Sequence, residues 1–108
     1  MRSEEHDIQV GIVRCLRIAG YEVFAIPNGG RRDAVTGARL KAEGATAGVA
    51  DLEILTPDGR AVFVEVKTAK GRQSEEQKAF QERIGKLGFK YLIWRSVDDA
   101  VRWIRERE

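Results

Sequence analysis

Two β-prone runs, Ala50 to Leu55 and Ala61 to Val66, flank the turn signal Thr56-Pro57-Asp58-Gly59. No other stretch limits the fold as tightly. Proline presets its own φ, aspartate can hydrogen-bond to the backbone ahead of it, and glycine accepts positive φ, so the chain reverses here and the runs pair as a hairpin. With Pro57-Asp58-Gly59 as the loop, Thr56 faces Arg60, and counting back from the turn brings Asp51 directly opposite Glu65. Opposed residues project to the same face with Cβ atoms about 4.5–5.5 Å apart. Lys67 follows two residues after Glu65 and points the same way, while Val66 points to the other face, toward the core. A shorter Asp58-Gly59 loop would slide the register by one and make the Asp51–Glu65 pair less direct.

Two carboxylates placed side by side repel each other, which is a poor arrangement for stability and a good one for a divalent metal. Mg²⁺ or Mn²⁺ takes carboxylate oxygens, and Mg²⁺ keeps several waters. Asp51 and Glu65 are the candidate ligands, and the backbone carbonyl of Val66 can add a third. Such an ion polarises a phosphoryl oxygen and acidifies a bound water. Lys67 is placed to counter the developing negative charge or to orient the attacking water. A solvent-facing hairpin side also carries acidic and basic residues as a matter of course. What argues past that is Asp51 at the matching register after Gly48, with basic loops on each side.

Around the hairpin the order reads α-β-ββ-α-β-α. Residues 3–19 carry a helical stripe of Ile8, Ile12, Cys15, Leu16 and Ala19, with Ser3 as N-cap and Gly20 as stop. Tyr21 to Ile26 is a short strand. Residues 27–48 hold five glycines and no clean period, and read as a long loop. Ser74-Glu75-Glu76-Gln77 is a capping box that opens a helix with the stripe Phe80, Ile84 and Leu87. Phe89 to Trp94 is a strand, and Val97 to Arg105 a closing helix with Val97, Val101 and Ile104 inward. The expected architecture is α/β, a small mixed sheet flanked by helices, in a single domain over residues 1–108.

Composition excludes some classes. Nineteen basic residues against 17 acidic ones leave a net charge of +2, so charge alone does not announce a nucleic-acid partner. Basic residues are instead clustered: Arg31, Arg32, Arg39 and Lys41 in the glycine-rich stretch, Lys70 and Arg72 after the hairpin. These are the candidate phosphate contacts. One cysteine, Cys15, excludes an intramolecular disulfide framework and falls on an apolar stripe. No apolar run approaches the roughly 20 residues of a membrane span, and no secretory signal is read at the N-terminus, so the expected location is cytoplasmic. His6 reads as an exposed first-turn residue and Trp94 as packed; Trp103 and Asn28 are open.

Gly48-Val49-Ala50-Asp51, the hairpin, and Glu65-Val66-Lys67 together resemble the PD-(D/E)XK nuclease core, a restriction-endonuclease-like fold. More narrowly, the chain resembles the VRR-NUC (virus-type replication–repair nuclease) family. The features are Glu5-x-x-x-Gln9, Gly-x-x-Asp at 48–51, Glu-Val-Lys-Thr at 65–68, Gly71-Arg72-x-Ser74-x-x-Gln77 and the late Gly88-Phe89 strand. The resemblance covers nearly the whole chain. Its order and spacing are specific; no single motif is. Ala50 stands where the broader superfamily has a proline, whereas the narrower family commonly has Gly-x-x-Asp.

The resemblance implies Mg²⁺- or Mn²⁺-dependent hydrolysis of DNA phosphodiesters. It assigns Glu5, Asp51 and Glu65 to the acidic site, Lys67 as the catalytic lysine and Gln77 as a supporting polar residue. Glu4 competes with Glu5, which lies four residues before Gln9 as the family pattern has it. By analogy with small stand-alone members, it implies a homodimer acting on branched or four-way junction DNA in repair. The rival reading is a nucleic-acid-binding module that keeps this fold without chemistry.

Overall fold

The computed structural model describes residues 3–27 and 34–108. Its elements are α1 (Glu4–Ile18), β1 (Glu22–Ala25), α2 (Ala34–Ala42), β2 (Leu52–Leu55), β3 (Ala61–Val66), α3 (Glu75–Lys86), β4 (Lys90–Trp94) and α4 (Val97–Glu106). The strands form one four-stranded sheet in the order β1-β2-β3-β4. β1 to β3 run antiparallel, and α3 carries the chain over to β4, which lies parallel to β3. The mixed α/β sheet flanked by helices is the architecture expected from sequence.

The hairpin has the three-residue loop. The Thr56 amide donates to the Arg60 carbonyl at 2.9 Å. Leu55 pairs with Ala61, and the register runs unbroken to Leu52 opposite Val64. The expected direct pairing of Asp51 with Glu65 is not formed: at Asp51 the ladder shifts by one, with the Asp51 amide donating to the Val64 carbonyl at 3.0 Å. On its other side Asp51 continues the pairing with β1, its carbonyl accepting the Ile26 amide at 2.9 Å.

Strand alternation sorts the sheet into two faces. Val62, Val64 and Val66 of β3 and Trp94 of β4 join Ile12 and Leu16 of α1 and Ala100 and Trp103 of α4 in the main core. Gly11 lets α1 and α4 approach closely, since a Cβ there would lie 2.6 Å from Val97 Cγ2. On the opposite face, α3 lays Phe80 and Ile84 against Ala50, Val49, Phe63 and Tyr91. Phe63 meets Phe80 and Phe89 edge-on, with centroids 5.9 and 5.8 Å apart. Both tryptophans are packed. Trp94 and Trp103 lie 5.9 Å apart, and the Arg107 guanidinium covers the Trp103 ring at 4.1 Å.

Helix ends follow the sequence. The Ser3 side chain accepts the His6 amide, and Ser74 and Gln77 form the reciprocal capping box of α3. Two further expectations are corrected. The stretch 27–48 is not loop throughout, since Ala34–Ala42 is helical. Ala34, Ala38, Arg39, Leu40, Lys41 and Ala42 are strong helix formers, but α2 buries no residue, so it has no apolar period to read. Leu87 sits at the C-cap of α3 and is 74% exposed, because the helix turns its last apolar position off the sheet. In α4, Val97 and Ile104 pack against the core as expected and Val101 is half-buried, while the most buried residues are Ala100 and Trp103.

Candidate active site

The acidic cluster lies where β3 ends and β2 begins. Glu65 is a penultimate residue of β3 and shares its face with Phe63, beneath α3. Its side chain is fully buried. Two donors converge on Oε1: the Tyr91 hydroxyl, in a short hydrogen bond, and Gln73 Nε2 at 3.1 Å. The same Gln73 nitrogen donates to Gln81 Oε1 of α3 at 2.9 Å. Glu65 Oε2 is equally buried and has no hydrogen-bond partner. It faces Lys67 Nζ at 3.7 Å, an ion pair with a side chain only 14% exposed.

Asp51 is half-buried beside this pair. Its Oδ2 accepts the Val66 amide at 2.7 Å, a bond that reaches across the end of the hairpin. Burial pushes the Asp51 carboxyl up from its ordinary range; the Val66 amide opposes this, and the Glu65 charge reinforces it. Glu5 enters from the first turn of α1, within electrostatic reach of Asp51, Lys67 and Glu65. Its carboxyl is also raised, first by burial and then by Asp51. Burial, followed by the bond to Glu65, raises Tyr91 well above the ordinary tyrosine value, so its hydroxyl keeps its proton and remains a donor.

The loops that carry these residues are fixed from outside. Gly48 has φ +79, and a Cβ there would lie 2.2 Å from the Glu76 carbonyl oxygen, so the approach to Asp51 runs directly over the first turn of α3. Arg95 Nη1 donates to the carbonyls of Thr68 and Gly71, each at 2.7 Å, and ties the 68–71 loop to the end of β4. The Lys67 amide donates to the Trp94 carbonyl at 2.9 Å, extending the parallel ladder by one bond.

The fold thus draws Glu5, Asp51, Glu65 and Lys67 together, with Val66 between the last two. Gln77 is not part of the cluster's hydrogen bonding: its side-chain oxygen accepts the Ser74 amide at 2.8 Å and caps α3. The glutamine that reaches Glu65 is Gln73, which sequence reasoning passed over, as it did Tyr91, Gln81 and Arg95. A signal for Tyr91 existed, because it lies at an alternate position of a strand next to β3. Lys70 and Arg72 are exposed on the loop just past Lys67, and Arg39 and Lys41 lie exposed in α2. Arg31, Arg32 and Asn28 lie outside the described residues.

Among the described residues, no three His, Cys, Asp or Glu side chains are grouped closely enough to hold one ion. The all-oxygen pair still suits a hard cation. Mg²⁺ is ordinarily bound through one or two carboxylates and retains waters, and a buried carboxylate oxygen without a donor is a position a cation would satisfy. Among the described residues no helix is long and apolar enough to cross a membrane.

Comparison with known proteins agrees with this geometry. The VRR-NUC domain model matches residues 4–98. A solved structure named "VRR_NUC domain" superposes with a TM-score of 0.71 at 22% identity, covering 96% of this chain and 97% of its own. A second, named "VRR_NUC domain protein", gives a TM-score of 0.76 at 18% identity, covering 98% of this chain and 88% of its own. No curated protein matches the chain. With the match spanning most of its length, the chain belongs to the VRR-NUC domain family, whose members are nuclease-type domains that act on DNA.

Proposed function

We propose that this protein is a metal-dependent DNA endonuclease that hydrolyses phosphodiesters at the Asp51–Glu65–Lys67 cluster. The observation that carries the reading is the fully buried Glu65 carboxylate, with Oε1 held by two donors and Oε2 by none. Such burial is unfavourable unless positive charge meets the open oxygen. Lys67 does so in part, at 3.7 Å. Mg²⁺ or Mn²⁺ is the cofactor this donor set suits, held by Asp51 and Glu65 with the Val66 carbonyl.

When bound, the ion supplies Lewis-acid polarisation of a phosphoryl oxygen and a more acidic water. The protein's own groups do the rest. The Val66 amide fixes one oxygen of Asp51, leaving the other for ligation. The Lys67 ammonium, held in place by Glu65, counters negative charge as it builds on the phosphoryl oxygens. Glu5 completes the acidic lining from the α1 side. Exposed Lys70 and Arg72, with Arg39 and Lys41 and the sequence neighbours Arg31 and Arg32, contact phosphates and provide affinity without sequence preference. One copy offers one such cluster. Cutting both strands of a branched or four-way junction therefore takes two copies, and a homodimer is the form we assign to the active species.

The test is cleavage of labelled linear duplex, single strand, flap and four-way junction with Mg²⁺, Mn²⁺ or EDTA. Cutting should require metal, favour the branched substrates, and disappear in Glu65→Gln and Lys67→Ala. Binding of DNA without cutting in any metal would leave only a nucleic-acid-binding module. Sedimentation at assay concentration should give a dimer; a monomer would count against two-strand cleavage.

A further inference from the structure

We infer that Tyr91 and Gln73 are positioning residues that reserve one oxygen of Glu65 for the metal, and so set which divalent cation the site accepts. This rests on the metal-binding reading above and deepens it. A carboxylate oxygen has two lone-pair directions. On Glu65 Oε1 both are engaged, one by the Tyr91 hydroxyl and one by Gln73 Nε2. Gln73 is itself fixed, because the same nitrogen donates to Gln81 Oε1 on α3. Tyr91 is fixed from the other side, with its ring packed against Phe80 at a centroid distance of 6.1 Å. Two donors, eight and 26 residues along the chain from Glu65, therefore lock one oxygen, while Oε2 is left with no hydrogen-bond donor.

The consequence follows from coordination chemistry. Ca²⁺ accepts six to eight oxygens and takes carboxylates through one or both atoms. Mg²⁺ is smaller, holds strictly to an octahedron and needs only one oxygen from each carboxylate. A Glu65 with Oε1 saturated can offer Oε2 alone. That suits Mg²⁺ and denies Ca²⁺ a two-oxygen grip. Removing either donor frees Oε1 for the cation and relaxes the discrimination.

The experiment measures binding of Mg²⁺ and of Ca²⁺ separately, by calorimetry and by metal-induced shift of Tm, with no DNA present. The proteins are the wild type, Tyr91→Phe, Gln73→Met and, as a site control, Asp51→Asn. Tyr91→Phe keeps the ring, and Gln73→Met keeps the side-chain length in a loop outside the helices, so a folded variant is available on either side of Glu65. We expect Mg²⁺ affinity to fall by about tenfold or more in each, as for other groups that orient metal ligands. Ca²⁺ affinity should hold or rise, so that the preference for Mg²⁺ over Ca²⁺ shrinks. A merely structural role would weaken both ions in parallel; a parallel loss, or no change in the ratio, overturns the inference and leaves the metal site standing. Failure of the wild type to bind either ion, or equal binding by Asp51→Asn, overturns the metal-binding reading itself.

Discussion

The Val66 amide donates to Asp51 Oδ2 at 2.7 Å, across the open end of the hairpin. This one bond turns a carboxylate that sits beside the ladder into a fixed element of the acidic cluster. It also separates two roles that a substitution can split. In Asp51→Asn the side-chain oxygen still accepts the Val66 amide, so the fold should be retained. The charge that attracts a cation is lost. We expect unchanged circular dichroism and a cleavage rate lower by about a thousandfold, the scale of several kcal/mol of metal-derived charge stabilisation. Cleavage within tenfold of wild type would remove Asp51 from the site.

Gly48 combines positive φ with an approach that admits no side chain. Gly59 has φ +80 with nothing near it, whereas a Cβ on Gly48 would strike the α3 backbone at Glu76. Gly59→Ala should cost about 1 kcal/mol from strain alone. Gly48→Ala should cost about 3 kcal/mol or more, roughly 12 °C or more of Tm in a domain of this size. Equal losses from the two in thermal unfolding would show that the loop is free to retreat from α3.

Arg95 holds the loop between Lys67 and Gln73 through a single forked nitrogen on two close carbonyls. Lysine keeps the charge but not the planar geometry. In Arg95→Lys the amides of residues 69–72 should exchange faster by about tenfold, the equivalent of one net hydrogen bond of about 1.4 kcal/mol. DNA affinity should weaken as Lys70 and Arg72 lose their fixed placement. Exchange that stays at the wild-type rate would show that the loop is held by other contacts.

The turn that sets the hairpin register carries a pH signature. The Thr56 hydroxyl donates to Asp58, and Arg60 lies 3.3 Å from the same carboxylate. The Thr56 bond first, with the residue's own backbone hydrogen bond and then the nearby Arg60 charge behind it, holds the Asp58 carboxyl below its ordinary value of 3.8. A depressed folded value means that its contribution is present above 3.8 and is lost as pH falls through the depressed one. Asp58 is exposed, so the effect is local. Carboxyl NMR should find Asp58 titrating below 3.8 in the wild type and moving back toward it in Thr56→Val. Identical titration in both would mean that the hydroxyl is not the cause.

The parts of this protein that were legible in its sequence are those governed by short-range rules. Pro57, Asp58 and Gly59 specify the loop, and the loop specifies that Leu52 pairs with Val64. Ser74 and Gln77 announce the start of α3 three residues apart. By contrast α2 touches no core, so its nine residues carry helix propensity without a period. The capping box read from the sequence also accounts for Gln77, whose side-chain oxygen is on the Ser74 amide, whereas the site role implied by the resemblance finds no hydrogen bond to the cluster.

What the sequence determined by itself is that Glu65 and Lys67 share one face at the end of the hairpin, and that Asp51 lies at that same end. That follows from a side-chain period of two and a turn of known length, both local properties. What the tertiary structure decided is the environment of that end. Parallel pairing of β4 sets Phe63 beside Tyr91 and Glu65 beside Ile93, which brings the Tyr91 hydroxyl to a carboxylate 26 residues earlier. Packing of α3 on the same face excludes water from Glu65 and delivers Gln73 to it. No local rule could supply these contacts, because they depend on which strand the crossover helix returns beside β3 and on which face that helix covers. The acidic pair was written in the hairpin; the burial that leaves one oxygen of Glu65 fixed and the other open came from the rest of the fold.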